Sequence, residues 1–183
     1  MRIVGGLSRG RRLLAPVGRE IRPTADRVRE TLFNVLGQTF EPIRVLDLFA
    51  GTGALGFEAL SRGAAFVVFV DHGKEAQQLV TDNAKALGVS EQMELLRSPV
   101  ERALETLRAR GGAFELVFSD PPYASRQGAG VLEALSAAAL VAKNGWVVVE
   151  HDADEVLLET VGCFQREDER GFGDIRVSLY RAA

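Results

Sequence analysis

A single cysteine, Cys163, in 183 residues excludes an intramolecular disulfide and a cysteine-built metal cluster, and this usage points to a reducing cytoplasm. In its V-G-C-F setting it reads as a buried packing residue. Only two histidines are present; His72 and His151 each follow an acidic residue and read as solvated loop positions. No apolar run approaches the ~20 residues of a membrane span, and the N-terminus lacks the apolar core of a signal peptide. No internal repeat or low-complexity segment appears. These absences leave a soluble globular chain of one domain, long enough to bury a core, with a monomer as the default state.

Net charge is −3, but it is unevenly spread. Residues 1–30 carry eight arginines against three acids, a net of +5, which leaves −8 on the remainder. A basic arm on an acidic body holds a polyanion at one place rather than everywhere. Arginine without lysine in this segment suits phosphate and guanine recognition.

The chain's organising stretch is V-L-D-L-F-A-G-T-G-A-L-G-F-E-A-L, Val45–Leu60. An apolar strand ends on Asp47, a turn with Gly51, Gly53 and Gly56 follows, and a helical pattern begins at once. Around it, Met1–Pro16 reads as a β-hairpin arm. A helix capped by Thr24 runs to Gly37, with Val28, Leu32, Val35 and Leu36 on its apolar face. Alternation then sets in, with strands at 43–48, 66–71, 93–97, 114–119 and 145–150. Helices are expected over 74–87, from a Ser98–Glu101 capping box with Pro99 in the first helical position, and over 130–141. Trp146 falls in a strand pattern and reads as core. A short helix at 154–159 precedes strands at 161–166 and 174–181, which form an antiparallel edge hairpin. The expected fold is α/β: a doubly wound, Rossmann-like, mostly parallel sheet with an antiparallel strand added last. The division is a basic arm over 1–20 and a catalytic domain over 21–183.

In such a sheet, ligands bind beyond the carboxyl ends of the strands. Asp47, Asp71, Ser98 and Asp120 stand at four of those ends. Asp71 lies 20 residues after Gly51, the spacing at which a carboxylate accepts ribose hydroxyls. An adenosine-containing ligand follows, which nicotinamide and S-adenosylmethionine enzymes share. The discriminator is Asp120-Pro121-Pro122-Tyr123. A carboxylate and the Pro121 carbonyl can accept both N–H groups of a base amine and push electron density onto its nitrogen. Tyr123 offers a stacking face for a base taken out of its stack.

With R-I-V-G-G-x-x-R-G-R (Arg2–Arg11), R-P-T-A-D-R-V-R-E-T-L-F-N (Arg22–Asn34), L-D-L-F-A-G-T-G-A-L-G-x-E-A-L-S-R (Leu46–Arg62) and D-P-P-Y, the chain resembles the RsmD family. These are bacterial class I S-adenosylmethionine-dependent methyltransferases acting on the guanine N2 amine of 16S rRNA. The first two blocks are specific to that family; the last two belong to the wider class that methylates exocyclic amines. The resemblance implies S-adenosylmethionine as cofactor and the small ribosomal subunit as partner, with no membrane and no metal. It assigns the methionine part to Asp47 and the Gly51–Gly53 turn, the ribose to Asp71, and the neighbourhood of the adenine amine to Ser98. Phe49, Ala50, Thr52, His72 and Pro99 flank them in the cofactor site. Asp120, Pro121, Pro122 and Tyr123 would be catalytic. Arg2, Arg9, Arg11, Arg12, Arg22, Thr24, Arg27 and Arg29 would face RNA. Three other readings share part of the pattern: a DNA adenine-N6 methyltransferase, an NAD-dependent oxidoreductase and a non-catalytic RNA-binding module.

Overall fold

The computed structural model describes residues 1–16, 23–121 and 128–183, with the backbone alone for 23–25. Helix α1 (Pro23–Leu36) leads into β1 (Arg44–Leu48), α2 (Ala54–Ser61), β2 (Phe66–Val70), α3 (Lys74–Leu87) and β3 (Met93–Leu96). Then come α4 (Val100–Arg110), β4 (Phe114–Ser119), α5 (Gly128–Ala138) and β5 (Val141–Asp152), with β6 (Thr160–Val161), β7 (Phe164–Phe172) and β8 (Ile175–Ala182) closing the chain. The strands form one sheet in the order β3-β2-β1-β4-β5-β8-β7-β6. β1 pairs in parallel with β2 on one side and β4 on the other. That junction is the topological switch point, where a crevice opens at the strand ends. β5 is parallel to β4, and β8 runs antiparallel to β5.

Near-continuous apolar strands bury both sheet faces, as a parallel sheet requires. Alternate residues of β1 divide between them: Leu46 and Leu48 pack with α4 and α5, whereas Val45 packs with α1, α2, α3 and the N-terminal arm. α3 ends at Gly88, whose left-handed backbone (φ 74°) lets its N–H reach Ala84 and Lys85 carbonyls, as expected for a glycine closing a helix. No helix among the described residues is long and apolar enough to cross a membrane.

Several local expectations fail. α1 starts at Pro23, so Thr24 lies inside the first turn rather than at the cap; proline's fixed φ suits the first helical position. α4 starts at Val100 with Pro99 at its N-cap and no side-chain cap, so the Ser98–Glu101 box does not form. α5 spans Gly128–Ala138 rather than 130–141, because Ala139 turns to φ 52° and Val141 already pairs with Phe114 in the sheet. Residues 154–159 form no helix. Their carbonyls go to distant donors instead: Leu158 accepts from the Tyr180 hydroxyl at 2.7 Å and Leu157 from Arg166 at 3.1 Å. Cys163 is exposed. His151 is buried in β5, its Nε2 2.9 Å from Ser178 Oγ, and Ser178 in turn donates to Glu169 at 3.0 Å. Trp146 is half-buried beneath the Arg181 guanidinium, 3.4 Å from its ring centroid, a cation–π contact.

The N-terminal arm is narrower than a hairpin of two strands. One isolated bridge, Arg2 to Arg12, closes it. It is nevertheless built into the body, with Ile3 and Leu13 buried in the core. Fully buried Glu58 of α2 accepts the N–H groups of Val4 and Gly5 at 2.8 and 2.7 Å and pairs with Arg62 at 2.9 Å. Buried Asn83 of α3 accepts from Leu14 N–H and donates to the Leu14 and Thr52 carbonyls. Replacing Glu58 by glutamine leaves the buried Arg62 cation without its counter-charge. Glu58→Gln is expected to lower unfolding free energy by about 3 kcal/mol and to expose the Val4 and Gly5 amides to hydrogen exchange. Urea titration with amide exchange checks both, and unchanged stability refutes the anchor.

Candidate active site at the sheet crossover

At the end of β1 the chain bends sharply. Phe49 adopts φ 57°, a left-handed conformation unfavourable for an aromatic residue and held only because its surroundings impose it. The Ala50 N–H reaches across to the Val70 carbonyl at 3.1 Å. Gly51 and Gly53 both have positive φ, 56° and 78°, so the turn is closed to side chains on conformational grounds. Gly56 plays a different part: a Cβ there would stand 2.3 Å from the Phe69 ring, so its absence lets α2 lie close on β2.

Two carboxylates hold this turn. Asp47 Oδ2 accepts the Gly56 N–H at 2.9 Å, fixing the first turn of α2 to the end of β1. Asp71 Oδ2 accepts the Gly51 N–H at 3.0 Å and its Oδ1 the Gly73 N–H at 2.8 Å. Each Asp71 oxygen keeps a second lone pair, so the carboxylate that shapes the turn can also accept ribose hydroxyls. The residues therefore fit an adenosine ligand whose methionine end carries positive charge.

Beside the turn lies a cavity of about 500 Å³. Its floor is the strand ends, with Asp47, Ser119, Asp120, Val148 and Glu150. Val28, Arg29 and Leu32 of α1 form its roof. The glycine turn and the tip of the β7–β8 hairpin, Phe172–Ile175, also line it. Asp47, Phe49, Ala50, Gly51, Thr52 and Asp120 are thus brought to one cavity, as expected from sequence. Asp71, His72, Ser98 and Pro99 stand at the adjoining ends of β2 and β3, outside its lining. Pro121 is buried directly after Asp120. Arg22, Pro122 and Tyr123 lie outside the described residues, as does the side chain of Thr24.

The arginines separate into two groups. Arg9, Arg12 and Arg27 are exposed, and Arg2 is exposed with an ion pair to Asp26 at 3.3 Å. Arg11 is exposed as well, but its guanidinium donates to the Leu87 and Ala86 carbonyls at the end of α3, where a cation complements the helix dipole. Arg29 is 5% exposed and bound to Asp26 and to the Arg2 carbonyl, so it cannot meet a phosphate on the surface. Sequence reasoning missed Ser119, Glu150 and the hairpin tip. Glu150 lies beside Asp120 two residues before the end of β5, and it closes the strand expected over 145–150, so the same strand-end rule could have found it.

Acidity dominates the cavity. Burial pushes the Asp47 carboxyl up to about 8, against the pull of the Gly56 N–H and with help from the Asp71 charge. Asp120 is held well above the usual carboxylate range by burial first, then by the charges of Glu150 and Asp47. A carboxyl that ionises near 3.8 when unfolded and near 8 when folded favours the empty fold at low pH; that contribution is lost as pH rises through about 8. A cationic ligand reverses the preference by stabilising the carboxylate. S-adenosylmethionine binding at pH 7 is therefore expected to release about one proton, with affinity rising with pH up to about 8. Calorimetry in buffers of different ionisation enthalpy measures it; proton uptake, or no proton exchange, contradicts the assignment.

Comparison with known proteins finds relatives along nearly the whole chain. The family described as conserved hypothetical protein 95 matches residues 1–181. The ribosomal RNA small subunit methyltransferase D of Escherichia coli (strain K12) is 39% identical over 187 residues, spanning 99% of this chain and 89% of its own. The protein of the same name from Haemophilus influenzae is 36% identical across 86% of this chain and 82% of its own. Among solved structures, a hypothetical protein of Thermus thermophilus superposes with a TM-score of 0.83 at 33% identity, covering 98% of each chain.

Proposed function

The chain belongs to the conserved hypothetical protein 95 family, and from that membership and the crossover cavity we propose that it methylates the N2 amine of a guanine in 16S rRNA of the small ribosomal subunit, with S-adenosylmethionine as donor. The observation that carries the proposal is the meeting of the glycine turn with Asp120 around one acidic cavity. The printed names of the relatives, ribosomal RNA small subunit methyltransferase D, support rRNA as the substrate.

S-adenosylmethionine supplies an activated methyl group, so the protein's task is positioning for an in-line displacement. Asp47 and the Gly51–Gly53 turn hold the methionine part, Asp71 the ribose, and Ser98 stands toward the adenine. Asp120 and the Pro121 carbonyl accept the two amine hydrogens and bring the nitrogen lone pair into line. Tyr123 covers the base. The amine proton becomes acidic once the new N–C bond has formed and is lost to water. No histidine base is needed.

Methyl-labelled cofactor offered to small subunits, free rRNA and duplex DNA, followed by nucleoside analysis, tests the function. N2-methylguanosine in small-subunit rRNA is expected; N6-methyladenosine, or label in DNA alone, overturns it. Asp120→Ala is expected to lower turnover by about 100-fold or more while cofactor affinity survives, and unchanged turnover refutes its role.

The 1–20 arm, with Arg27 nearby, supplies the RNA grip through its exposed arginines. Replacing Arg9 and Arg12 together by alanine should weaken subunit binding and flatten the logarithmic salt dependence by about two counterions. Filter binding across a salt series reads the slope; an unchanged slope places the contact elsewhere.

A further inference from the structure

Leu7, in the loop that joins the two halves of the N-terminal arm, is 96% exposed, more than any other large apolar residue among those described. An exposed leucine is ordinary by itself; this one stands out because of the backbone that carries it. The Leu7 N–H donates to the Ser61 carbonyl at 2.7 Å and the Ser8 N–H to Ser61 Oγ at 2.8 Å. Ser61 Oγ in turn donates to the Gly5 carbonyl at 2.6 Å. Gly6 has φ 73°, and a Cβ there would overlap the Ser61 carbonyl, while one on Gly5 would overlap the Arg62 guanidinium. Both positions therefore need glycine for the chain to lie this close to α2. The turn is clamped to the end of that helix, and the side chain it holds in place points at solvent.

The charge around it decides what it can meet. Arg9 belongs to the same turn, its N–H donating to the Gly6 carbonyl at 3.3 Å, and its side chain is exposed. Exposed Arg2 and Arg12 face each other across the arm's bridge. An apolar tip among arginines suits a polyanion that also offers flat apolar faces, which is the chemistry of a nucleic acid. The other strongly exposed apolar residues, Val156 at 86% and Leu158 at 68%, stand instead among Asp154, Glu155 and Glu159, where a polyanion is repelled. Position fits as well. Ala54 and Leu55, at the start of α2, line the cavity, and Ser61 at its end holds the turn, a separation of about 10 Å at the helical rise.

We propose that Leu7 packs on an unstacked base of the rRNA near the methylated nucleotide, with Arg9 and Arg12 on the adjoining phosphates. The proposal rests on the rRNA reading above. A base drawn into the cavity leaves its neighbours unstacked on one side, and leucine is among the apolar side chains that proteins place between base steps. Every base offers an apolar face, so the contact is tolerant of sequence. Its part is to set the RNA at a fixed distance from the cavity, through a turn and a helix that are locked together.

Leu7→Ala is expected to weaken binding to small subunits about tenfold and to lower kcat/KM by the same factor, with kcat at saturating subunits within about twofold. The slope of log affinity against log salt should not change, because an apolar contact releases no counterion; this separates Leu7 from the arginines beside it. Cofactor affinity and Tm should match the wild type, since the side chain is 96% exposed. Unchanged subunit binding, or an altered slope, overturns the proposal. The partner is identified by replacing Leu7 with a diazirine-bearing leucine analogue, irradiating the complex with small subunits and mapping the adducts. Val156, replaced in the same way, is the control. Adducts from position 7 on rRNA bases near the methylated nucleotide are expected, with few from position 156. Adducts on a ribosomal protein alone, equal labelling of rRNA from both positions, or no adduct from position 7 overturn it. Failure of the rRNA reading looks different: the wild-type protein then places no methyl label in small-subunit rRNA.

Discussion

One hydrogen bond carries most of the site's geometry, from the Gly56 N–H to Asp47 Oδ2 at 2.9 Å. It ties the central strand to the helix that follows, and the turn of residues 49–53 is suspended between them. Because Asp47 is 2% exposed, the bond lies in a low-dielectric environment, where it is stronger and harder to replace. The glycines follow from this tether. With α2 drawn down onto β2, no side chain fits at Gly56, and the chain before it turns through left-handed conformations. The same burial keeps Asp47 short of counter-charge. A single placement thus sets both the shape of the turn and its appetite for a cation.

α2 carries a second connection at its other end. Glu58 and Ser61 bind the N-terminal arm, and Arg62 lies over the Phe33 ring of α1 at 4.6 Å from its centroid. The helix that begins at the proposed cofactor turn therefore also holds the arm and the helix that roofs the cavity. Both are the segments where arginine is concentrated. Fixing them to one short helix gives the arm a defined position relative to the strand ends without a separate domain interface. The opposite wall is pinned independently. His151, Ser178 and Glu169 link β5, β8 and β7 below the hairpin tip.

Where local physics decides, the sequence could be read. The glycine turn, the parallel strands, Asp47, Asp71 and Asp120 all follow from short-range patterns, and each stands at the expected strand end. The errors arise where a distant partner outbids a local one. Residues 154–159 have helical composition, but Tyr180 and Arg166 take their carbonyls. His151 follows an acidic residue, as a surface position would, yet a strand added from the end of the chain covers it. Arg29 looks like a surface cation in a basic segment, yet it is buried and bound to Asp26 and the Arg2 carbonyl; Arg11 is exposed, with its guanidinium on the Leu87 carbonyl. Charge density along the chain does not reveal which guanidinium groups are already used. Glu150 was legible but unread, because the fifth strand offered no tetrapeptide to draw attention to its end.

The net charge of −3 conceals a separation that the proposed reaction requires. In the proposed reaction the phosphate backbone stays at the exposed arginines of the arm, and the cavity lined by Asp47, Asp120 and Glu150 takes the base alone. A nucleobase carries no formal charge, and its amine presents donors, so the acidic cavity admits it while excluding the chain that bears it. Extrusion of the base from its stack costs a few kcal/mol. Phosphate contacts outside and carboxylate acceptors inside both act to offset that cost. The two signs of charge then divide the labour, the arm for affinity and the cavity for selection, and averaging them over the chain erases the feature on which both depend.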